Sequence, residues 1–309
     1  MRDLVIIGSG PAGLSAAVYA KRAKLDVLVI EKAGYSGGQI VSTEQVDNYL
    51  GLPGIDGFTL GSKFREHADM LNTEFTDAEV VKIEEITDAE GKRAYKIILN
   101  EGEPIETKTV IAATGAAHRK LGVKGEEEFT GTGVSYCATC DGAFFKKKIT
   151  AVAGGGDVAL EDALYLSALC EKVYLIHRRD EFRAAVNIQQ KVKATANIEI
   201  LPFYEIKEIK GENKVTSLQL VQNKTGEEKE IEVSGLFVAV GMEPVTKLFA
   251  ELVELDETGY IKADETCTSS KEGIYAVGDI RTKPLRQIVT AVADGATAVQ
   301  SVERYLHSR

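Results

Sequence analysis

The chain begins with a short apolar run, a glycine-rich turn, an alanine-rich stretch and a second apolar run. Leu4–Ile7 and Val27–Ile30 resemble the continuous apolar runs of buried parallel strands. Gly13–Lys24, which lies between them, is predicted to be a helix. The same order recurs near Lys148, in KKITAVAGGGDVALEDALYLSALCEKVYLIHRR. The pattern therefore predicts two strand–turn–helix–strand units, and alternating strands and helices of this kind are typical of α/β folds.

The remaining apolar stretches predict further strands and a terminal helix. Strands are predicted for AYKIILN, KTVIAATG, VSGLFVAVG and GIYAVGD, and a helix for Lys283–Leu306. The charged segment Asp88–Glu106 is predicted to be an exposed hairpin. A chain of 309 residues has room for about two domains of ordinary size. We therefore expect an α/β protein with two Rossmann-like dinucleotide-binding domains.

Composition and charge narrow the possible classes of protein. Apolar residues make up 44% and charged residues 27%, as in ordinary soluble domains. The net charge of −10 argues against a general nucleic-acid surface, and no apolar run approaches the ~18 residues of a membrane span. The opening MRDLVIIGSG is predicted to be the first strand of a fold rather than a signal peptide. A cytoplasmic protein is therefore expected.

The first glycine turn has the residues of a dinucleotide site. Gly8, Gly10 and Gly13 follow a predicted strand and open a predicted helix, and Glu31 ends the next strand. Gly8 permits the tight turn, Gly10 allows a pyrophosphate to approach, and Gly13 allows the helix to pack on the strand. The Glu31 carboxylate can accept hydrogen bonds from a ribose diol. This pattern suits the ADP half of FAD or NAD.

The second glycine turn carries the opposite charge at the strand end. Gly154, Gly156 and Ala159 occupy the three motif positions, but the following strand ends in HRRDEFR rather than in an acid. Guanidinium groups there would bind the 2′-phosphate of NADPH, which a carboxylate would repel. The alternative is that these arginines are only surface charges at a helix start. The contrast predicts one FAD site and one NADPH site.

Two of the four cysteines, Cys137 and Cys140, form a C-x-x-C motif. Zinc would need a second pair of ligands, whereas Cys170 and Cys267 are far apart and the four histidines have no ligand spacing. A redox-active dithiol is therefore favoured over a metal site. Asp141 follows the pair and could exchange a proton with the thiols, serve as a helix N-cap or turn residue, or do both.

At this level of detail the chain resembles the low-molecular-weight bacterial thioredoxin reductases. The resemblance spans essentially the whole sequence and rests on motifs in matching order: GSGPAGLSAAVYAKRA, GGQ, VDNYLGLPG, AATG, CATCDG, GGGDVALEDALYL, HRRDEFRA and AVGDIRTKPLRQIVTAVADGA. It implies transfer of electrons from NADPH through FAD to the Cys137–Cys140 disulfide and on to the disulfide of thioredoxin. It also implies a homodimer.

The resemblance implies a domain order and a set of cofactor contacts. Residues 1–115 and 243–309 would form the FAD-binding domain, and the inserted residues 116–242 the NADPH-binding domain that carries the dithiol. The implied FAD contacts are Gly8, Gly10, Gly13, Glu31, Gly38, Gln39, Asn48, Gly278, Asp279, Arg286, Gln287 and Ile288. The implied NADPH contacts are Gly154, Gly156, Asp157 and Ala159 at the pyrophosphate, with His177, Arg178, Arg179 and Arg183 at the 2′-phosphate.

The same resemblance implies roles around the dithiol. Cys140 would be the sulfur facing the flavin, Cys137 the sulfur that attacks thioredoxin, and Asp141 the acid–base group. Phe144 and Phe145 would dock thioredoxin, or simply pack in the core. Rotation of the inserted domain would bend the chain near residues 116–121 and 241–246.

One departure from the family pattern stands in the second glycine motif. Val158 stands where the family usually has Ser or Thr. The replacement removes a hydroxyl from the phosphate site and would therefore lower the affinity for NADPH.

Other functions remain open at this stage. The same scaffold could reduce or oxidise another protein or a small dithiol, and a non-catalytic redox sensor would carry the same motifs without steady turnover of NADPH.

Overall fold

The structure is a computed structural model that describes residues 1–43 and 45–309. The chain forms two compact units, the first made of Met1–Ala117 with Glu243–Arg309 and the second of His118–Met242. The chain thus passes from one unit to the other inside the two segments in which bending is predicted. Which cofactor each unit holds, and whether the units rotate, stay predictions.

Helices and strands alternate around the two glycine turns, and elsewhere several strands follow one another without a helix between them. The helices are α1 (Pro11–Arg22), α2 (Gly57–Met70), α3 (Ala138–Asp141), α4 (Asp157–Ser167), α5 (Val186–Ala194) and α6 (Ile288–Ser308). The strands are β1 (Arg2–Ile7), β2 (Val27–Glu31), β3 (Glu74–Asp77), β4 (Val80–Thr87), β5 (Arg93–Leu99), β6 (Ile105–Ala112), β7 (Ala116–His118), β8 (Val134–Ser135), β9 (Ile149–Gly154), β10 (Lys172–His177), β11 (Ile198–Pro202), β12 (Tyr204–Gly211), β13 (Val215–Gln222), β14 (Glu228–Glu232), β15 (Gly235–Ala239), β16 (Met242–Pro244) and β17 (Ile274–Ala276). Short 3₁₀ turns lie at Gly38–Ser42, Gly142–Phe145 and Gly278–Ile280.

The first unit is built on a sheet with the strand order β3-β2-β1-β6-β5-β4, and β17 also pairs with β6. Strand β1 lies between the parallel strands β2 and β6, so that Leu4, Val5 and Ile6 have no exposed surface. Helix α1 packs so closely on α6 that a Cβ atom at Gly295 would lie 2.3 Å from the carbonyl oxygen of Ala12. The glycine turn after β1 therefore opens at the carboxyl end of the parallel strands of this sheet, where nucleotides bind in such folds.

The predicted hairpin at residues 88–106 is part of a larger antiparallel structure. Strands β4, β5 and β6 pair in sequence, and residues 88–92 and 100–104 are their two connections. Tyr95 and Ile97 on β5 are fully buried, because one face of the hairpin covers the core. Only the other face and the connections are exposed, and those carry the charges that dominate the sequence pattern.

The second unit contains a parallel sheet in the order β11-β10-β9-β15-β8 and a separate antiparallel sheet in the order β12-β13-β14. The strand predictions above do not include the antiparallel sheet. Its strands mix apolar and charged residues over short lengths: Ile206, Leu218 and Leu220 are buried, whereas Lys207 is exposed and Glu208 is half-buried. Such half-buried strands give a weaker signal than the continuous apolar runs of the parallel sheet.

The last helix begins five residues later than predicted, at Ile288 rather than Lys283. Gln287 is its N-cap, and a capping box joins Gln287 and Thr290. Lys283 instead extends its ammonium group to Asp294, 2.7 Å away. Pro284 has no N–H to donate, and its ring disfavours the helical conformation at Lys283, the residue before it. The helix therefore starts only after this segment. Over the described residues, no helix is both long enough and apolar enough to cross a bilayer.

Candidate dinucleotide and dithiol sites

The first glycine turn has the three-part geometry predicted for it. Gly8 has a left-handed φ of +104°, and a Cβ atom there would lie 2.5 Å from the Ala113 carbonyl oxygen. A Cβ at Gly13 would lie only 2.0 Å from the Gly8 carbonyl oxygen, so helix and strand touch at this point. At Gly10 the nearest atom would be 3.9 Å away, which leaves room in front of the helix N-terminus. An anion can approach the free N–H groups there.

We expect Gly13→Ala and Gly10→Ala to have opposite consequences. The methyl group of Gly13→Ala collides with backbone, so we expect the free energy of unfolding of the flavin-free protein to fall by at least about 3 kcal/mol. The methyl group of Gly10→Ala meets no protein atom closer than van der Waals contact, so the free energy of unfolding should stay within about 1 kcal/mol of the parent. The variant should retain less flavin, because the methyl group fills the approach to the phosphates.

Denaturant unfolding of the flavin-free proteins and the visible absorbance of the purified proteins measure the two effects. A Gly13→Ala variant as stable as the parent, or a Gly10→Ala variant with full flavin content, would contradict the assignment of that glycine.

Glu31 lies beside the first glycine turn and is held there by hydrogen bonds. One carboxylate oxygen accepts from the N–H of Ser9 at 2.8 Å and from its hydroxyl at 2.7 Å, and the other accepts from the N–H of Ala33 at 2.9 Å. Ser9 is fully buried, and the predictions from sequence do not include it. Its place between two motif glycines is the only signal in the sequence. The hydroxyl fixes the acid at the edge where a ribose would lie.

Several of the implied FAD residues meet although they are far apart in sequence. Gly38 approaches the first turn so closely that a Cβ atom on it would lie 3.2 Å from Gly10 Cα. Gln39 donates from its side-chain amide to the carbonyl of Ala116. Asn48 donates to the Gln287 side chain at 2.9 Å, across 239 positions of sequence. Segments from both ends of the chain therefore gather around one turn of the first unit.

The turn at Gly278–Ile280 supplies the strongest sign of a missing partner. Asp279 is mostly buried, and in the described part of the chain its Oδ1 atom has no hydrogen-bond partner; the same is true of Arg286 Nε. Burial raises the pKa of Asp279, while Lys283 and Arg286 act in the opposite direction. A buried acceptor and a buried donor without partners are rare in proteins. A hydroxyl- and phosphate-bearing cofactor such as FAD would satisfy both, so these residues fit the group. Ile288, the first residue of α6, packs nearby on the apolar cluster of Ile40, Val46 and Leu60.

A buried ion network supports the Gly278 turn and is absent from the predictions above. The Asp294 carboxylate accepts from the N–H of Gly278 at 2.9 Å, from Arg281 at 3.0 Å and from Lys283 at 2.7 Å. Asp294 is only 7% exposed. In sequence, Asp294 is the one acid in the apolar first half of α6, which is the one signal that could have identified it. The network fixes the turn that carries Asp279.

The second glycine turn repeats the design of the first. A Cβ atom at Gly154 would lie 2.4 Å from the Ala239 carbonyl oxygen and 2.5 Å from Ala159 Cβ, whereas a Cβ at Gly156 would meet nothing within 4 Å. Asp157 begins α4, and its carboxylate accepts from the N–H of Ala185 at 2.8 Å. Val158 is 63% exposed beside it. The open position at Gly156 is where a pyrophosphate would approach.

The arginines predicted to read the 2′-phosphate line a cleft of about 490 Å³. Arg178, Arg179 and Arg183 line this cleft, and the N–H of Arg183 donates to the Gly155 carbonyl at 2.8 Å, which ties the arginine segment to the glycine turn. Phe203, Asn223 and Lys224 also line the cleft and are absent from the predictions above. They lie in connections next to strands of the antiparallel sheet, which the sequence pattern did not reveal.

His177 is buried, unlike the arginines that are predicted to bind the 2′-phosphate together with it. Its Nε2 atom lies 3.1 Å from the Glu181 carbonyl oxygen, its ring stacks on Phe182, and burial lowers the pKa of the imidazole. A Cβ atom at Gly155 would lie 2.1 Å from that ring. His177 therefore lies beneath the arginine segment and packs against the glycine turn, and it is not among the residues that line the cleft.

The two cysteines of the C-x-x-C motif form a disulfide, with Cys137 at the N-cap of α3 and Cys140 within that short helix. Asp141 follows and accepts a 2.6 Å hydrogen bond from the Ser135 hydroxyl. The Ser135 oxygen in turn accepts from the N–H of Cys137 at 3.1 Å. Ser135, which the predictions omit, thus links the acid to the disulfide loop. Both sulfur-bearing residues are partly exposed, so the loop can be reached from solvent.

The two phenylalanines after the dithiol have different surroundings. Phe144 is 44% exposed. Phe145 packs edge-on against Phe237 with the ring centres 5.2 Å apart, and it lies over Gly235. Phe144 is therefore the more exposed of the two, whereas Phe145 makes the core-packing contacts that were its alternative role.

The other two cysteines lie in apolar surroundings. Cys170 and Cys267 are free and buried, and burial raises the pKa of the Cys267 thiol to about 12. Among residues 1–43 and 45–309, no group of three or more His, Cys, Asp or Glu side chains is arranged to hold a metal ion.

Two dinucleotide-type folds and a disulfide in one chain define a class of protein: oxidoreductases that exchange electrons between a pyridine nucleotide and a disulfide. The family model described as pyridine nucleotide-disulphide oxidoreductase matches residues 2–295. The chain belongs to this family and, within it, to the thioredoxin reductases, as the following relatives show.

The similarity to individual relatives is high and extends over nearly the full length. The chain is 44% identical over 305 residues to a thioredoxin reductase of Bacillus subtilis, covering 98% of this chain and 94% of the relative. It is 43% identical to a thioredoxin reductase of Listeria innocua, covering 98% and 93%. The crystal structure of thioredoxin reductase from Streptococcus pyogenes superposes with a TM-score of 0.87 at 43% identity, covering 100% and 99% of the two chains.

Proposed function

We propose that this chain is a thioredoxin-disulfide reductase with NADPH as the electron donor and FAD as the bound cofactor. The observation that carries the proposal is the disulfide Cys137–Cys140 in the same compact unit as a dinucleotide turn with an arginine-lined cleft. The names of the relatives support the partner. Overall, NADPH, one proton and the disulfide of thioredoxin give NADP⁺ and the two thiols of reduced thioredoxin.

Each unit has residues suited to one cofactor. The first unit suits FAD. It has space at Gly10, a carboxylate at Glu31, and buried atoms of Asp279 and Arg286 that lack hydrogen-bond partners in the described part of the chain. In the second unit the open turn at Gly156 and the arginine-lined cleft suit NADPH. When bound, FAD supplies the chemistry of accepting an electron pair from NADPH and passing it to a disulfide.

The reduced dithiol then acts through this chain's own sulfur atoms. The Cys137 thiolate attacks one sulfur of the thioredoxin disulfide, which breaks that bond and leaves a mixed disulfide and a thioredoxin thiolate. Asp141, oriented by Ser135, supplies a proton to the thiolate. The Cys140 thiol then gives its proton back to Asp141 and attacks the Cys137 sulfur, which breaks the mixed disulfide and restores the Cys137–Cys140 disulfide. The second thioredoxin sulfur leaves as a thiolate and takes a proton from solvent.

Anaerobic stopped-flow measurement with NADPH and then NADH tests the proposal. We expect the flavin absorbance to bleach much faster with NADPH than with NADH, and catalytic oxidation of NADPH to require a thioredoxin disulfide. Equal rates with the two coenzymes would remove the NADPH assignment. Bleaching without any turnover of thioredoxin would favour a redox sensor, and a colourless protein that cannot be reconstituted with FAD would end the proposal.

We further propose that the protein is a cytoplasmic homodimer, as its resemblance to the family implies. Sedimentation equilibrium should give twice the 33.4 kDa mass of one chain.

A further inference from the structure

The arginine-lined cleft has a second wall formed by a β-hairpin. Arg178, Arg179 and Arg183 form one side, and Lys224 lies on the other side in the turn between β13 and β14. Across the described residues, none of these four cations forms an ion pair, whereas Lys207 and Lys210 of the same antiparallel sheet are paired with Glu228 and Glu230. Asp180 and Glu181 also line the cleft, which leaves it a net charge of +2 in a protein of −10.

The hairpin turn holds the backbone of Lys224 in a defined place. The side-chain oxygen of Gln222 accepts from the N–H groups of Lys224 and Thr225, both at 2.7 Å. Gly226 closes the turn with a left-handed φ of +76°. The ammonium nitrogen of Lys224 lies 3.3 Å from the centre of the Phe203 ring. A cation–π contact of this kind restricts a flexible lysine side chain while leaving N–H donors free.

Asn223 connects this turn to the opposite wall. Its side-chain amide donates to the Arg178 carbonyl at 2.6 Å, and its N–H donates to the Phe203 carbonyl at 2.8 Å. Phe203 itself has a left-handed φ of +63°, a conformation that is costly for a bulky residue and persists only where the surroundings enforce it. The hairpin, the aromatic ring and the arginine segment therefore form one connected structure.

We propose that Lys224 is a fourth cation of the site for the 2′-phosphate and helps the protein discriminate NADPH from NADH. This inference rests on the proposed function. A phosphate monoester carries a charge of about −1.5 to −2 at pH 7 and three acceptor oxygens, so it can accept hydrogen bonds from both walls of the cleft. Lys224 supplies a point charge from the facing wall, and the ring of Phe203 holds it there.

The test compares two nucleotides that differ only in the phosphate. Calorimetric titration with 2′,5′-ADP and with 5′-AMP gives the two dissociation constants without any need for turnover. We expect Lys224→Ala to weaken 2′,5′-ADP binding by about 5- to 10-fold, the size of one solvent-exposed charge-assisted contact, and to leave 5′-AMP binding unchanged. Lys224→Arg should retain the affinity. The effect should shrink as the salt concentration rises, since exposed charges are screened.

Lys214 provides a matched control. It is exposed in the turn at the opposite end of β13, roughly 25 Å along an eight-residue strand, and Lys214→Ala removes the same charge. If 2′,5′-ADP binds more tightly than 5′-AMP to the parent but Lys224→Ala behaves like Lys214→Ala, the role of Lys224 is overturned while the coenzyme assignment stands. If the parent binds both nucleotides equally, the coenzyme assignment and the role of Lys224 both fail.

Discussion

Cys140→Ser is expected to abolish thioredoxin reduction while leaving reduction of the bound flavin by NADPH intact. A single remaining sulfur at Cys137 cannot form the intramolecular disulfide that the enzyme must make and break in each cycle. We expect kcat for thioredoxin to fall by at least about a thousandfold, the scale seen when a covalent nucleophile is removed. The dinucleotide turns and the arginine cleft do not involve this sulfur, so the affinity for NADPH should not change.

The two half-reactions are measured separately. Anaerobic bleaching of the flavin by NADPH reports the first, and oxidation of NADPH in the presence of oxidised thioredoxin reports the second. Because Cys137 in the variant still has a thiol, we expect it to trap thioredoxin as a mixed disulfide that is visible by mass spectrometry and reversed by dithiothreitol.

Cys170→Ala is the matched control for the loss of one sulfur, since Cys170 is a free, buried cysteine that takes no part in the disulfide. It should keep full turnover. If Cys140→Ser reduced thioredoxin at the rate of the parent, the dithiol would not be the catalytic pair.

Replacing both Arg178 and Arg179 by Ala is expected to erase most of the preference for NADPH over NADH. Each guanidinium can form charge-assisted hydrogen bonds to a 2′-phosphate, and neither has a partner carboxylate in the described part of the chain. Both side chains are exposed, so solvent weakens each contact, and we expect kcat/KM for NADPH to fall by roughly 100-fold in total. Activity with NADH should change little, because NADH has no phosphate at that position.

A double variant on the adjacent helix controls for charge. Lys191 and Lys193 are exposed near the end of α5, and replacing both by Ala removes the same two positive charges. That variant should keep the ratio of kcat/KM for NADPH to that for NADH. If both variants lost the preference for NADPH, the preference would arise from long-range charge. If the arginine variant kept the preference, the cleft would be excluded as the coenzyme site.

The sequence predicts most of what is local in this protein. A glycine turn depends on a short motif, so Gly8, Gly13 and Gly154 could be identified as positions that need glycine, and the structure places backbone or a side chain against each of them. The apolar runs of the parallel strands were equally clear, because such strands are buried on both faces. The antiparallel sheet β12-β13-β14 was missed, since half-buried strands mix charged and apolar residues.

The burial of individual side chains was the property that the sequence predicted least well. His177 and Phe145 belong to motifs implied to bind ligand or partner, yet the imidazole lies beneath the arginine segment and the phenyl ring packs on Phe237. Their neighbours Arg178 and Phe144 are exposed. Adjacent residues in one motif can face opposite ways, and the residues that cover them come from distant segments.

By itself the sequence determined the two glycine turns, the opposite charges at the ends of their second strands, and the spacing of the dithiol, because each depends on residues close together along the chain. Only the tertiary structure decided which distant residues complete those sites. Asn48 meets Gln287, Asp294 supports the Gly278 turn, and Lys224 faces the arginines across a cleft. These contacts join residues that only the folded sheets bring together, so no pattern of neighbouring residues could reveal them.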